Sequence, residues 1–143
     1  MTTTSLPRTR IKDALAAERE IAEICVKGWV RTLRRSKEVA FLALNDGSCF
    51  ASIQIVLEPT MPGFDEAARL GTGACVAVVG ALVPSPASGQ RWEVKAARIE
   101  ILGDADEEYP LQKKRHSLEY LRTIAHLRPR SNTFGAVFRV RSA

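Results

Sequence analysis

Residues 26–57 read VKGWVRTLRRSKEVAFLALNDGSCFASIQIVL. Short runs rich in aliphatic and aromatic residues, with an aliphatic residue at every second position of the hairpin, are typical of strands. The pattern predicts a first strand over residues 24–33, a second over 39–44 and a third over 50–57. The Asn-Asp-Gly-Ser sequence at 45–48 predicts a tight turn that joins the second and third strands as a hairpin.

The hairpin divides its side chains between two faces. Closing it at Asn45 and Ser48 pairs Phe41 with Ser52 and makes Phe41 a diagonal neighbour of Gln54 on the same face. The opposite face is aliphatic and is expected to form the core: Ala40, Leu42, Leu44, Ile53, Ile55 and Leu57. Phe41 and Gln54 are therefore expected on the outside.

The rest of the chain completes a small barrel. A short helix is predicted over residues 10–18 and another over 64–70, with further strands over 74–83 and 91–102. A slip in the apolar phase between Ala96 and Ala97 predicts a β-bulge in the last strand. Five strands with a helix between the third and fourth predict a mainly β protein, a five-stranded oligonucleotide-binding (OB) Greek-key barrel.

A different composition follows residue 103. Acidic residues and Tyr109-Pro110 predict a hinge, and two helices, over 117–127 and 133–141, form a C-terminal helical extension. Ser131 or Asn132 is a candidate cap for the second helix.

Charge is unevenly distributed along the chain. Residues 1–108 carry a net −2 and residues 109–143 a net +7, within an overall +5. A second basic cluster holds five cations between Lys27 and Lys37 without an acid. Local basic clusters on a domain that is otherwise acidic favour contact with a polyanion.

Several classes of protein are disfavoured. No apolar run approaches the length of a membrane span, and the N-terminus lacks a signal-peptide core, so a cytosolic protein is predicted. The three cysteines, Cys25, Cys49 and Cys75, lie in apolar runs and are expected to be reduced core residues. No P-loop, HExxH or Ser/Cys–His arrangement is found, and neither a metal site nor a catalytic residue is predicted.

The outward face of the hairpin has the chemistry of a base-binding surface. An exposed Phe41 ring can stack on an unstacked base, the Gln54 amide can read a base edge, and the nearby arginines can hold phosphates. The alternative is that Phe41 packs under the N-terminal helix and Gln54 is an ordinary surface residue.

Residues 28–56 resemble the anticodon-binding OB domain of class II aminoacyl-tRNA synthetases of the aspartyl, asparaginyl and lysyl group. Residues 109–143, YPLQKKRHSLEYLRTIAHLRPRSNTFGAVFRVRSA, resemble the hinge and the opening of the catalytic domain in bacterial asparaginyl-tRNA synthetases. Aspartyl and lysyl relatives differ near residues 120–122.

The resemblance implies a division into four segments. These are an N-terminal extension (1–23), the anticodon-binding OB domain (24–103), a hinge (104–116) and the start of the catalytic domain with part of motif 1 (117–143). Motifs 2 and 3 are absent from the sequence, so we expect an N-terminal fragment that does not catalyse by itself. The parent enzyme uses ATP and Mg²⁺, acts as a homodimer and charges asparagine tRNA, whose anticodon is GUU.

The resemblance also implies roles for individual residues. Phe41 would stack on the middle uridine and Gln54 would bond to its edge. Arg34 and Arg31 would contact that base or the adjacent backbone. Glu93, with the loop 85–90, would meet a flanking base.

Two other functions stay open at this point. A sequence-tolerant single-strand binder would use the same face and depend mainly on phosphate contacts. A protein-interaction module would self-associate through residues 117–143, whose apolar positions include Phe134, Val137, Phe138 and Val140.

Overall fold

The computed structural model describes residues 6–143, which form two compact units, one ending at Tyr109 and one starting at Pro110. Residues 1–5 of the predicted N-terminal extension lie outside the described part. The predicted division into four segments stays a prediction.

The first unit is a closed five-stranded barrel. Its strands are β1 (Ile21–Arg35), β2 (Ala40–Asn45), β3 (Ile53–Leu57), β4 (Cys75–Pro84) and β5 (Trp92–Gly103). They follow one another around the barrel in the order β1-β2-β3-β5-β4, with β3 and β5 parallel and the other pairs antiparallel. This arrangement confirms the predicted OB barrel.

Two short helices accompany the barrel. Helix α1 (Ile11–Leu15) precedes β1, and helix α2 (Phe64–Ala67) lies between β3 and β4 where the sequence predicts it. Buried residues of α1, Ile11 and Ala14, belong to the same apolar core as the strands. The indole Nε1 of Trp92 donates to the carbonyl of Ala17 (2.8 Å), which ties the segment after α1 to β5.

The predicted alternation of inward-facing and outward-facing side chains is observed in the hairpin of the barrel. All six aliphatic residues of the hairpin's inner face are completely buried, whereas Phe41, Ala43, Gln54 and Val56 are half-buried on the outside. Cys25 is buried, while Cys49 and Cys75 are half-buried, and all three are free thiols.

The predicted register of the hairpin is wrong. Phe41 pairs with Val56 rather than Ser52, a displacement of four residues, and residues 46–52 form a wide loop instead of a tight turn. The side chain of Asn45 organises this loop by donating to the carbonyls of residues 49–51 at 3.2, 3.4 and 3.0 Å. A displacement by an even number of residues keeps every side chain on its face, so the predicted faces survive.

The predicted bulge is confirmed. Val79 pairs with Arg98 and Gly80 with Ala96, which leaves Ala97 as the extra residue of β5. Gly80 belongs to the same feature because a Cβ there would lie 2.2 Å from the Lys95 carbonyl oxygen. The backbones approach too closely at this corner for any side chain.

The second unit is helical. It contains α3 (Leu118–Thr123), a 3-10 turn (Arg128–Arg130) and α4 (Asn132–Ser142). Ser117 and Ser131 cap the two helices through their hydroxyl oxygens, so Ser131 rather than Asn132 is the cap of α4. The guanidinium of Arg128 stacks over the rings of Phe134 (5.2 Å) and Phe138 (5.5 Å).

Candidate nucleic-acid interface

The barrel register places four of the five predicted site residues in two adjacent rows across its outer face. Pairing between neighbouring strands defines the rows directly. The first row consists of Arg34, Phe41, Val56 and Lys95, and the second of Thr32, Ala43, Gln54 and Glu93. We call this surface the β2–β3 face.

Phe41 and Arg34 are already stacked on each other. The Arg34 guanidinium carbon lies 4.8 Å from the centroid of the Phe41 ring, within the range of a cation–π contact. Helix α1 is anchored at the opposite end of β2, where Asp46 accepts a hydrogen bond from the Ile11 amide (3.0 Å). The structure therefore does not support the alternative in which Phe41 packs under the N-terminal helix.

Gln54 and Glu93 are joined by a hydrogen bond. Gln54 Nε2 donates to Glu93 Oε2 (3.0 Å) across the parallel β3–β5 pair. The same carboxylate oxygen accepts from the hydroxyl of Ser85 (3.3 Å), which in turn accepts from Gln90 Nε2 (2.7 Å). The loop 85–90 is thus connected to the β2–β3 face by a continuous polar network.

Arg31 differs from the other site residues because it lies in a strand irregularity. The β1–β2 register shifts between Val30 and Thr32, which makes Arg31 the extra residue of a bulge. Its side chain is half-buried. Arg31 follows an inward-facing Val30 and precedes Thr32 of the second row, so it lies beside the β2–β3 face without belonging to either row.

Lys95 is a cation that sequence reasoning missed. It lies in the same row as Phe41, and its Nζ is 3.1 Å from Glu58 Oε1. The signal was available, because buried Trp92, Val94 and Ala96 leave the two intervening side chains of β5 outward. The two rows therefore combine an aromatic ring, an amide, one carboxylate and two cations.

The side chains of the β2–β3 face are of the kinds that bind nucleic acid. Among residues 6–143, no group of three or more His, Cys, Asp or Glu side chains is arranged to hold a metal ion. In the same part of the chain, no helix has the length and apolarity needed to cross a bilayer. Stacking rings beside guanidinium groups are the groups by which proteins bind single-stranded nucleic acid.

Comparison with known proteins gives a match to a family model. Residues 24–102 match the model described as OB-fold nucleic acid binding domain. Among curated proteins, the chain is 67% identical to an asparagine–tRNA ligase of Geobacter metallireducens (strain ATCC 53774 / DSM 7210 / GS-15) and 62% identical to that of Geotalea uraniireducens (strain Rf4). Each match extends over 136 residues, which are 95% of this chain and 30% of the relative.

Solved structures share the fold. Asparaginyl-tRNA synthetase from Pyrococcus horikoshii is 21% identical with a TM-score of 0.81, and the match covers 96% of this chain and 33% of that one. OBody NL8, bound to hen egg-white lysozyme, is 27% identical with a TM-score of 0.51 over 59% of this chain and 98% of that one. The chain spans about 30% of the length of the curated relatives it matches.

Proposed function

This chain belongs to the family of OB-fold nucleic acid binding domains, and from that premise we propose that it is the anticodon-binding part of an asparaginyl-tRNA synthetase. Support comes from asparagine–tRNA ligases that are 62% and 67% identical over 95% of the chain. The observation that carries the proposal is the β2–β3 face, where the Arg34–Phe41 stack lies one row away from the Gln54–Glu93 pair.

The proposed mechanism of recognition uses each side chain according to its chemistry. The middle base of a GUU anticodon stacks on Phe41, and the Gln54 amide bonds to the edge of that base. Arg34 and Arg31 neutralise phosphates of the anticodon loop or stack on its bases. Glu93 and the loop 85–90 face a flanking base.

The activity of the whole enzyme is also part of the proposal. It joins asparagine to tRNA in the cytoplasm with ATP and Mg²⁺, and it acts as a homodimer. The described residues do not fit Mg²⁺, because they contain no group of three or more His, Cys, Asp or Glu side chains that could hold it. Exposed Val137 (44%) and Val140 (77%) on α4 are consistent with a subunit contact through this helix.

The test is binding to two anticodon stem-loops that differ only in the middle base. We expect the chain to bind the GUU loop more tightly than the GCU loop by about 1–3 kcal/mol. This is the usual discrimination against a wrong base by a good side-chain contact to the base edge. Equilibrium binding of labelled stem-loops at fixed salt measures this difference.

The same pair of stem-loops separates the proposal from its alternative. Equal affinity for both loops, together with a steep loss of affinity in salt, would indicate a sequence-tolerant binder held by phosphates. Measuring both loops at two salt concentrations distinguishes these outcomes, because phosphate contacts carry no direct sequence information.

A further inference from the structure

We propose that Glu93 is a positioning residue that holds the side-chain amide of Gln54 in one orientation and thereby makes the interface select uridine over cytidine. The inference rests on the proposed function. It assigns Glu93 an action through Gln54, distinct from the flanking-base contact that the resemblance implies.

The contact between the two side chains has only one chemically acceptable orientation. A carboxylate only accepts hydrogen bonds, so the amide must present its NH₂ group to Glu93. The observed bond, from Gln54 Nε2 to Glu93 Oε2 at 3.0 Å, has this form. Turning the amide over would place its oxygen against a carboxylate oxygen.

The carboxylate is itself held in place. Ser85 Oγ donates to Glu93 Oε2 (3.3 Å), and Gln90 Nε2 donates to Ser85 Oγ (2.7 Å). Glu93 is half-buried on a regular part of β5, where it pairs with Gln54 on one side and Val83 on the other. The network restricts the carboxylate and, through it, the amide.

Strand order decides which end of the amide meets the base. Strand β3 lies between β2, which bears Phe41, and β5, which bears Glu93. Holding the NH₂ group toward β5 turns Gln54 Oε1 toward the side of the Phe41 ring. Among residues 6–143, no hydrogen bond is donated to Gln54 Oε1, so this oxygen is available to a ligand.

An available acceptor distinguishes the two pyrimidines. Uridine carries a hydrogen on ring atom N3, whereas N3 of cytidine is an acceptor. A uridine stacked on Phe41 with its N3 opposite Gln54 Oε1 can donate to that oxygen, but a cytidine in the same position would place two acceptors against each other. A freely turning amide would serve both bases, because its NH₂ group could replace its oxygen.

The experiment compares Glu93→Gln with the unaltered chain on the GUU and GCU stem-loops. Glutamine at this position can both donate and accept, so it releases the orientation of Gln54. We expect the variant to gain cytidine binding, so that the ratio of the two Kd values falls about tenfold, while uridine binding changes less than about threefold. The matched control is Glu58→Gln, which removes the same charge from the Lys95 pair and should keep the ratio.

The outcomes separate the two proposals. A preference for GUU that survives Glu93→Gln contradicts this inference alone. An unaltered chain without a preference contradicts the proposed function and this inference with it. If Glu93→Gln does not fold, Glu93→Asp is tested instead. It keeps the charge, but its shorter side chain does not reach Gln54, so this variant must also lose the preference for GUU over GCU.

Discussion

At the scale of single residues, the chemistry of the β2–β3 face comes from side chains that lie outside the apolar core. Phe41 is half-buried although it lies between completely buried Ala40 and Leu42. The core does not need this large apolar ring on the outer wall, and in the proposed function the ring is the surface on which a base stacks. The Arg34 guanidinium, 4.8 Å from the ring centroid, covers part of the ring and places a positive charge beside it.

The residue-scale prediction is that Phe41→Ala weakens binding of the GUU stem-loop by about 1–3 kcal/mol, the usual loss for one stacked base. Thermal unfolding of the variant should change little, because the ring lies outside the core. The matched control is Phe50→Ala, which removes an exposed ring (51%) on the wide loop at the far end of β2. Equal losses in the two variants would contradict a stacking role for Phe41.

At the scale of elements, the loop between β2 and β3 acts as the cap of α1. Asp46 accepts from the Ile11 amide (3.0 Å) and from Arg8 (2.9 Å), while Ser48 Oγ accepts from the Lys12 amide (3.0 Å). Burial alone would raise the pKa of Asp46, but hydrogen bonds from Ser48, Ile11 and Arg8 outweigh it and hold the pKa below its ordinary value. The carboxylate therefore stabilises the folded state when it is ionised.

The element-scale prediction is that Asp46→Asn lowers the free energy of unfolding by about 1–2 kcal/mol at pH 7, because the amide has no charge and only one acceptor oxygen for donors that now share two. Because the pKa is lowered on folding, the stabilisation is present above the unfolded pKa of about 3.9 and is lost as pH falls through the lower folded value. Urea unfolding at pH 7 and at acidic pH should show the two proteins converging. Asp13→Asn, at an exposed pair with Arg10, is the control and should change stability little.

At the scale of the whole barrel, closure depends on one long strand and close backbone contacts. Strand β1 pairs with β2 through its C-terminal half and with β4 through its N-terminal half, and Trp29 pairs with both. Gly28 lies at this crossing, where a Cβ would be 2.5 Å from the Asn45 carbonyl oxygen. Gly80 has the same function at the β4–β5 bulge.

The barrel-scale prediction is that Gly80→Ala lowers the free energy of unfolding by about 2–3 kcal/mol. The new methyl group would overlap the Lys95 carbonyl, and the cost of such overpacking is of this size. Gly103→Ala is the matched control, since a Cβ there meets nothing within 4 Å. Denaturant unfolding measures the free energy of unfolding of both variants. Equal values would contradict the prediction, because they would show that the β4–β5 bulge accommodates the methyl group.

Much of the architecture follows from the sequence because alternation is a local property. Six aliphatic positions determined the inner face of the hairpin, and Phe41 and Gln54 came to the outer face with them. The slip at Ala96 and Ala97 located the bulge for the same reason. Even a register error of four residues left these assignments intact, because it did not change the parity.

Contacts between distant segments were decided only by the tertiary structure. Asp46 caps a helix that begins 35 residues earlier, so the Asp-Gly sequence forms a wide loop instead of the tight turn it favours locally. Glu93 meets Gln54 39 residues away because β3 and β5 are parallel neighbours. The sequence by itself determined which side chains face outward, whereas the partners of those side chains depend on barrel closure, which is a property of the whole chain.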